Sequence, residues 1–162
     1  MSLEDKAVIT DVLHRYARYV DRADFDRVAE CYFPDAIDTH GGYIGSVDGL
    51  IEDMKTRHRT IDSSMHYISN ILIDLDGDTA NVESYCLCYL RQAPADGEST
   101  QMLSTIKCRY VDRFEKRNSQ WRIAERIVVF DESRHERIEN VLDPTWVSPR
   151  RTADDSLYTG KP

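Results

Sequence analysis

Three ionisable side chains of this sequence lie among apolar residues, where burial is expected. Asp21 follows an apolar stripe with helical spacing, and His66 lies in a strand-like segment whose two faces are both largely apolar. Arg126 alternates with apolar residues in a later strand-like segment. Buried ionisable groups are costly unless they are paired, so these three side chains predict a shared pocket. Because histidine changes its charge near neutral pH, such a pocket favours proton-transfer chemistry.

Each of the three residues also has a simpler interpretation. A lone histidine on an apolar strand is most often a core residue with its hydrogen bonds satisfied. Asp21 fits equally well as a cap of the following helix or as a solvated acid. Arg126 fits an ion pair with Glu83 or Glu125, or an edge residue whose charged end reaches water. The residues alone leave these alternatives open.

The charge and the hydropathy argue against nucleic acid and membranes as partners. Among 162 residues, 21 are Lys or Arg and 29 are Asp or Glu, so the formal net charge is −8. Such a surface repels a duplex or an anionic bilayer. No run approaches the ~20 apolar residues of a transmembrane helix, and the first residues do not resemble a signal peptide. We therefore expect a cytoplasmic protein with one domain.

Cysteine and histidine spacing predicts neither a metal site nor a bound cofactor. Cys86 and Cys88 are two residues apart, but no second pair follows at zinc-site spacing. The sequence also has no His-Glu-x-x-His motif, no glycine-rich phosphate loop and no Gly-x-Ser-x-Gly motif. The four cysteines are expected to be small, buried and reduced.

Hydrophobic periodicity predicts helices first and strands afterwards. A helical repeat runs to the polar stretch 21–24, a short helix with Tyr32 on its apolar side ends at Pro34, and a third helix ends near Arg57. A small hairpin is expected over 36–45. The period then changes to 2, which predicts strands over 64–75, 79–92, 100–116 and 120–132. This order is typical of an α+β domain, here over residues 1–142, followed by an extended tail over 143–162.

Alternation along the first long strand predicts two faces. His66 shares its face with Ile68, Asn70 and Leu72, and the opposite face carries Tyr67, Ser69, Ile71 and Ile73. That outer face, with Tyr85, Leu87 and Leu103, is more apolar than a monomer usually exposes. We therefore expect a closed homo-oligomer to which the tail contributes.

Three segments carry a resemblance to a known family. The segments RYARYVDRADFDRVAECYFPDA, SSMHYISNILID and WRIAERIVVF resemble the SnoaL-like branch of the nuclear transport factor two-like superfamily, over residues of about 4–135. Within it the chain most resembles the dehydratase type, which includes scytalone dehydratase, bile-acid 7α-dehydratase and hexachlorocyclohexane dehydrochlorinase. The second histidine and the serine of scytalone dehydratase have no counterpart, because Cys86, Cys88, Ser104 and Ile106 occupy the comparable strand faces.

The resemblance implies a fold and a site. It implies a cone-shaped, curved antiparallel sheet packed against three N-terminal helices, with a pocket between the first helix and the concave face. Asp21 and His66 match the catalytic dyad, Tyr16 matches the tyrosine of the bile-acid enzyme, and Arg126 matches the arginine of the dehydrochlorinase. The residues expected to line the pocket around a small, largely apolar substrate are Val20, Tyr32, Met54, Ile68, Cys88, Ile106 and Phe130.

The function implied is a cofactor-free lyase. Neutral His66 would remove a proton from carbon, Asp21 would hold the other ring nitrogen, Arg126 would stabilise the anion and Tyr16 would protonate the leaving group. Two alternatives remain: a non-catalytic binding or assembly subunit, such as a ring-hydroxylating dioxygenase small subunit, and an isomerase or polyketide cyclase-like enzyme. The resemblance favours a trimer, and then a dimer.

Overall fold

The computed structural model describes residues 2–139 and 141–161, which form helices followed by one sheet. The helices are α1 (Leu3–Asp21), α2 (Phe25–Val28), α3 (Val47–Arg57) and α4 (Ser156–Thr159), and a 3₁₀ turn spans Ala29–Cys31. The strands are β1 (Tyr32–His40), β2 (Tyr43–Ser46), β3 (Ile61–Asp76), β4 (Thr79–Gln92), β5 (Thr100–Arg117) and β6 (Gln120–Glu139). None of the described helices is long and apolar enough to cross a membrane.

The six strands form a curved, open sheet in the order β2-β1-β6-β5-β4-β3. All neighbours are antiparallel except β1 and β6, which run parallel. The α+β class and the curved sheet packed against N-terminal helices are thus confirmed, and the sheet is mixed rather than wholly antiparallel. A parallel pair needs a long connection, and here β2, α3 and the three strands β3–β5 lie between β1 and β6 in the chain.

Helix α1 carries the apolar face that covers the sheet. Ser2 caps its N-terminus by accepting a hydrogen bond from the backbone N–H of Asp5 at 3.4 Å. Ile9, Leu13 and Tyr16 recur at helical spacing and are buried in the core. This packing directs the C-terminal end of α1, and with it Asp21, towards β3, the strand with which α1 makes its most extensive contacts.

The second helix is shorter than the sequence predicts. It ends at Val28, and Tyr32 begins β1 instead of extending the helix towards Pro34. Tyr32 pairs with Ile123 of β6, and the register of that pairing shifts between Tyr32 and Ile37. Pro34 lies within this shift and is exposed, where its missing N–H costs no ladder hydrogen bond. Pairing with a strand 90 residues away therefore overrides the local helical pattern.

A bulge in β3 reverses the predicted alternation. The pairing of β3 with β4 shifts between Ser69 and Leu72, and Asn70 adopts a positive φ of 49°. Beyond the bulge, Leu72 is exposed and Ile73 is buried, which is the opposite of the prediction. Ile71 also packs against the core cluster. The predicted faces hold from Met65 to Ser69, which is the part of the strand that carries His66.

The C-terminal segment folds back onto its own chain. Asp155 caps the short helix α4, and the hydroxyl of Tyr158 donates to Asp24 at 3.2 Å. Arg151 donates hydrogen bonds to the backbone carbonyls of Val20 and Asp21 at 2.8 and 3.0 Å. The segment predicted as an extended tail thus fixes the C-terminal end of α1, which carries Asp21.

Candidate active site

Asp21 and His66 form a hydrogen-bonded pair between the end of α1 and the start of β3. The Asp21 Oδ1 atom lies 2.6 Å from Nδ1 of His66, and the two side chains are 13% and 11% exposed. Two further donors hold the carboxylate: the hydroxyl of Ser64 at 2.8 Å and the backbone N–H of His66 at 3.0 Å. With Nδ1 bound to Asp21, Nε2 is the ring nitrogen left for a ligand.

The environment favours the charged form of both partners. Burial lowers the pKa of His66, but the hydrogen bond and the charge of Asp21, together with the neighbouring Cys88, raise it to well above 6.5. Burial raises the pKa of Asp21, but the contacts from His66 and Ser64 lower it below its ordinary value of 3.8. The site therefore stabilises an imidazolium beside a carboxylate, which is the state that follows proton abstraction by His66.

We expect the pKa of His66 to depend directly on Asp21. In the wild-type protein His66 should titrate above 6.5, and Asp21→Asn should lower that pKa because the hydrogen bond to a charged acceptor is lost. Nuclear magnetic resonance titration of the ring carbon protons measures both values. Asp62→Asn is the matched control, because Asp62 binds Arg91 and Gln101 instead. An unchanged His66 pKa in Asp21→Asn would contradict the ion pair.

His66 lines a cavity of about 70 Å³ between α1, α3 and the sheet. That volume is smaller than the roughly 300–1,000 Å³ of ordinary small-molecule sites, so the cavity suits only a compact ligand. Of the residues predicted for the site, seven line this cavity: Tyr16, Val20, Met54, His66, Cys88, Ile106 and Phe130. The rest of the lining consists of the apolar Leu90 and Cys108 and the polar His40, Arg57, His58 and Tyr110.

Four residues predicted for the site lie outside the lining of this cavity. Asp21 lies behind His66 and, with Ile68, borders a separate surface depression on the other side of the dyad. Tyr32 is buried in the core, where its hydroxyl donates to Asp38 at 2.7 Å. The sequence pattern predicts a helix at Tyr32, whereas this residue begins β1. Arg126 is the fourth of these residues, and it lies against the rings of Tyr16 and Tyr110.

Arg126 is fully buried in an ion pair. Its Nε and Nη2 atoms each donate to a carboxylate oxygen of Asp112 at 2.7 Å, so the partner is neither Glu83 nor Glu125. The guanidinium carbon lies 4.3 Å from the ring centroid of Tyr16 and 4.1 Å from that of Tyr110. Arg126 therefore supports the two tyrosine rings from behind rather than facing a ligand in the cavity.

Tyr16 and Tyr110 present neutral hydroxyls at the cavity. Both residues line it and are almost wholly buried. Burial raises the pKa of each phenol, against the lowering effect of Arg126, so both remain protonated donors at neutral pH. Tyr16 was predicted, whereas Tyr110 has no distinguishing sequence signal beyond its place in an alternating strand.

Sequence reasoning also missed two histidines of the cavity, His40 and His58. His40 ends β1 next to the turn at Gly41 and Gly42, and His58 follows the last residue of α3. His40 lies within the predicted hairpin over 36–45, and His58 follows the predicted end of the third helix near Arg57. Nothing in the local pattern indicates that these segments converge on the concave face of the sheet.

Comparison with known proteins identifies the domain. The sequence profile of the family described as SnoaL-like domain matches residues 1–127. That match spans the dyad, both partners of the buried ion pair and every cavity-lining residue except Phe130. Among proteins with curated descriptions, none matches this chain.

Solved structures share the fold across most of the chain. The "putative scytalone dehydratase" of Novosphingobium aromaticivorans is 17% identical, with a TM-score of 0.72 over 90% of this chain and 97% of that one. A type 2 hexachlorocyclohexane dehydrochlorinase, LinA, is 19% identical, with a TM-score of 0.73 over 89% and 97%. Rv3472 of Mycobacterium tuberculosis, a protein of unknown function, is 26% identical, with a TM-score of 0.67 over 78% and 72%.

Proposed function

The chain belongs to the SnoaL-like domain family, and from this premise we propose that it is a cofactor-free lyase acting on a small, largely apolar substrate. The observation that carries the proposal is the 2.6 Å contact between Asp21 and the ring of His66, a ring that also lines the cavity. Fold neighbours named as a dehydratase and as a dehydrochlorinase support the same reaction class. Both names denote elimination of a leaving group.

In this proposal His66 is the general base. Its neutral ring removes a proton from a carbon next to an electron-withdrawing group, and Asp21 holds the Nδ1 proton and stabilises the imidazolium that forms. Only the neutral ring accepts the proton, so the rate should rise with pH through the raised pKa of His66. The imidazolium can then return its proton to the departing group or to water.

The tyrosines supply hydrogen bonds to the charge that develops. The hydroxyls of Tyr16 and Tyr110 donate to an oxygen or halide of the substrate, in a cavity where little water weakens the interaction. Arg126 acts on the reaction only through the rings of these two tyrosines, since its charge is paired with Asp112. This revises the direct role in anion binding that the family resemblance implies for Arg126.

The proposed chemistry can be tested without knowledge of the natural substrate. 1-Indanone is a compact aromatic ketone whose protons next to the carbonyl are acidic, and a base in the cavity would exchange them for deuterium in heavy water. We expect the wild-type protein to accelerate this exchange above the buffer rate, as measured by nuclear magnetic resonance. Hexachlorocyclohexane and a cyclic β-hydroxy ketone then test elimination, through chloride release and enone absorbance.

The outcomes separate the proposed lyase from its alternatives. Exchange together with elimination supports a lyase, whereas exchange with a shifted double bond and no leaving group indicates an isomerase. A protein that accelerates neither exchange nor elimination, but co-purifies with a large metalloenzyme subunit, is an assembly subunit and the proposal is then wrong.

We further propose that the protein is a homo-oligomer, with a trimer first and a dimer next. The support is a row of exposed apolar side chains on the outer face of the sheet, including Tyr67, Tyr85 and Ile127. We expect light scattering at micromolar concentration to give a multiple of the 18.8 kDa chain mass. Tyr85→Glu should reduce that mass, and Lys161→Glu is the control. A single-chain mass for the wild-type protein would overturn this proposal.

A further inference from the structure

A second histidine of the cavity has no part in the mechanism above. His58 follows α3 directly, is 9% exposed, and lines the same cavity as His66. Its ring packs edge-on against Phe25, with the centroids 5.3 Å apart. Because the side chain is enclosed and its ring is held by an aromatic neighbour, its nitrogens have fixed directions.

The C-terminal segment determines which nitrogen of His58 carries the proton. Arg151 Nη2 lies 3.1 Å from Nδ1 of His58, and an arginine only donates hydrogen bonds. Nδ1 must therefore accept, so the single proton of the neutral ring lies on Nε2. Among the described residues Nε2 has no hydrogen-bond partner. This leaves an N–H donor on a side chain that lines the cavity.

The same guanidinium group is fixed by three backbone carbonyls. Besides its contact with His58, Arg151 donates to Val20, Asp21 and Ile61 at 2.8, 3.0 and 2.9 Å. All four contacts involve one planar group, so Arg151 joins the end of α1, the start of β3 and the His58 ring. The residue that orients His58 thus also holds the backbone of Asp21.

The surroundings of His58 oppose a second proton. Burial, followed by the positive charges of Arg151 and Arg57, lowers the pKa of His58 to about 3, and His66 and His40 act in the same direction. The ring is therefore neutral throughout the physiological range. A neutral imidazole N–H suits a carbonyl oxygen, to which it donates without transferring its proton.

We propose that His58 is a neutral hydrogen-bond donor for a carbonyl oxygen of the substrate, and that Arg151 is the positioning residue that fixes its tautomer. This rests on the proposed function and narrows the substrate class to compact carbonyl compounds. A carbonyl bound by His58 makes the neighbouring C–H acidic, and that C–H is the group from which His66 removes a proton. Since the two histidines line one cavity, one small ligand can contact both.

Nitrogen-15 resonances of labelled histidine report the tautomer without any need for activity. We expect His58 of the full chain to be the Nε2–H tautomer and to show no titration between pH 5 and 8. Arg151→Met should give a mixture of tautomers, whereas Arg150→Met, which changes the neighbouring arginine, should leave the His58 signals as in the wild type. A wild-type Nδ1–H tautomer, or a His58 that titrates in this range, would overturn the proposal.

Binding of 1-indanone separates this inference from the proposed catalysis. His58→Phe should weaken binding about tenfold, as expected for loss of one hydrogen bond to a buried acceptor, and His58→Gln should restore part of it. Indane, which lacks the carbonyl, should bind the wild type and His58→Phe equally. Equal 1-indanone affinity for these two proteins would refute the donor role. Deuterium exchange is scored separately, so a failure of the dyad does not affect this result.

Discussion

We expect the rate of 1-indanone deuterium exchange to be about 10²–10⁴-fold lower in His66→Ala than in the wild type, because this is the usual contribution of one general base. The physical reason is that Nε2 of His66 is the basic nitrogen of the cavity that Asp21 activates, whereas His58 is held neutral with its Nε2 already protonated. Exchange of the ketone protons in heavy water, followed by nuclear magnetic resonance, measures the loss. The affinity for 1-indanone should change far less than the rate.

Two further variants define this first experiment. Asp21→Asn should also lower the rate strongly, because an amide does not stabilise the imidazolium and can present its NH₂ group to the ring. His135→Ala is the matched control, since His135 lies on the far part of β6, is exposed and contacts Ser104 of β5. Full exchange activity in His66→Ala would exclude the dyad mechanism whatever the fold.

The sequence predicts the elements of the dyad well because each is encoded locally. The apolar stripe of α1 ends at Asp21, and alternation from Met65 to Ile68 gives the face of His66. The four long strands are also encoded locally, by a period of 2 between clear turns at 76–78 and 117–119. In such segments one covered face dictates the pattern, so prediction and structure agree except at the end of β6, which was predicted to end at residue 132 but continues to Glu139.

The remaining part of the site depends on contacts between distant segments. Tyr32 is placed in β1 by pairing with β6 rather than by its own neighbours. Ile73 is turned inwards by a bulge that one residue, Asn70, creates through its positive φ. His58 and Arg151 are 93 residues apart in sequence, and each looks like an ordinary polar residue at the end of a helix or in a tail. The spacing of residues within one segment does not indicate such contacts between distant segments.

For Arg126, the sequence predicts the strand face correctly but predicts the wrong ion-pair partner. The sequence places it correctly on a strand face among apolar residues, which indicates burial. Its partner is Asp112, on the adjacent strand β5, and the two Cα atoms are register partners. Asp112 alternates with Tyr110 and Phe114, which are buried, so the period of β5 indicates that Asp112 faces inwards but not which residue pairs with it. The pairing, and with it the structural role of Arg126, requires the register of β5 and β6.

Replacement of Arg126 should therefore affect stability first. Arg126→Met leaves the fully buried Asp112 carboxylate without its cation, and breaking a buried pair in this way costs about 3–5 kcal/mol. Urea unfolding measures the free energy of unfolding. The double variant Arg126→Met, Asp112→Leu should recover most of the loss, because neither charge of the pair is then left without its partner. Lys107→Met, at an exposed ion pair, should change little. If the double variant is stable yet keeps 1-indanone exchange, Arg126 acts through packing alone. If Arg126→Met is as stable as the wild type and loses only exchange, Arg126 contacts the substrate and the structural role assigned here is wrong.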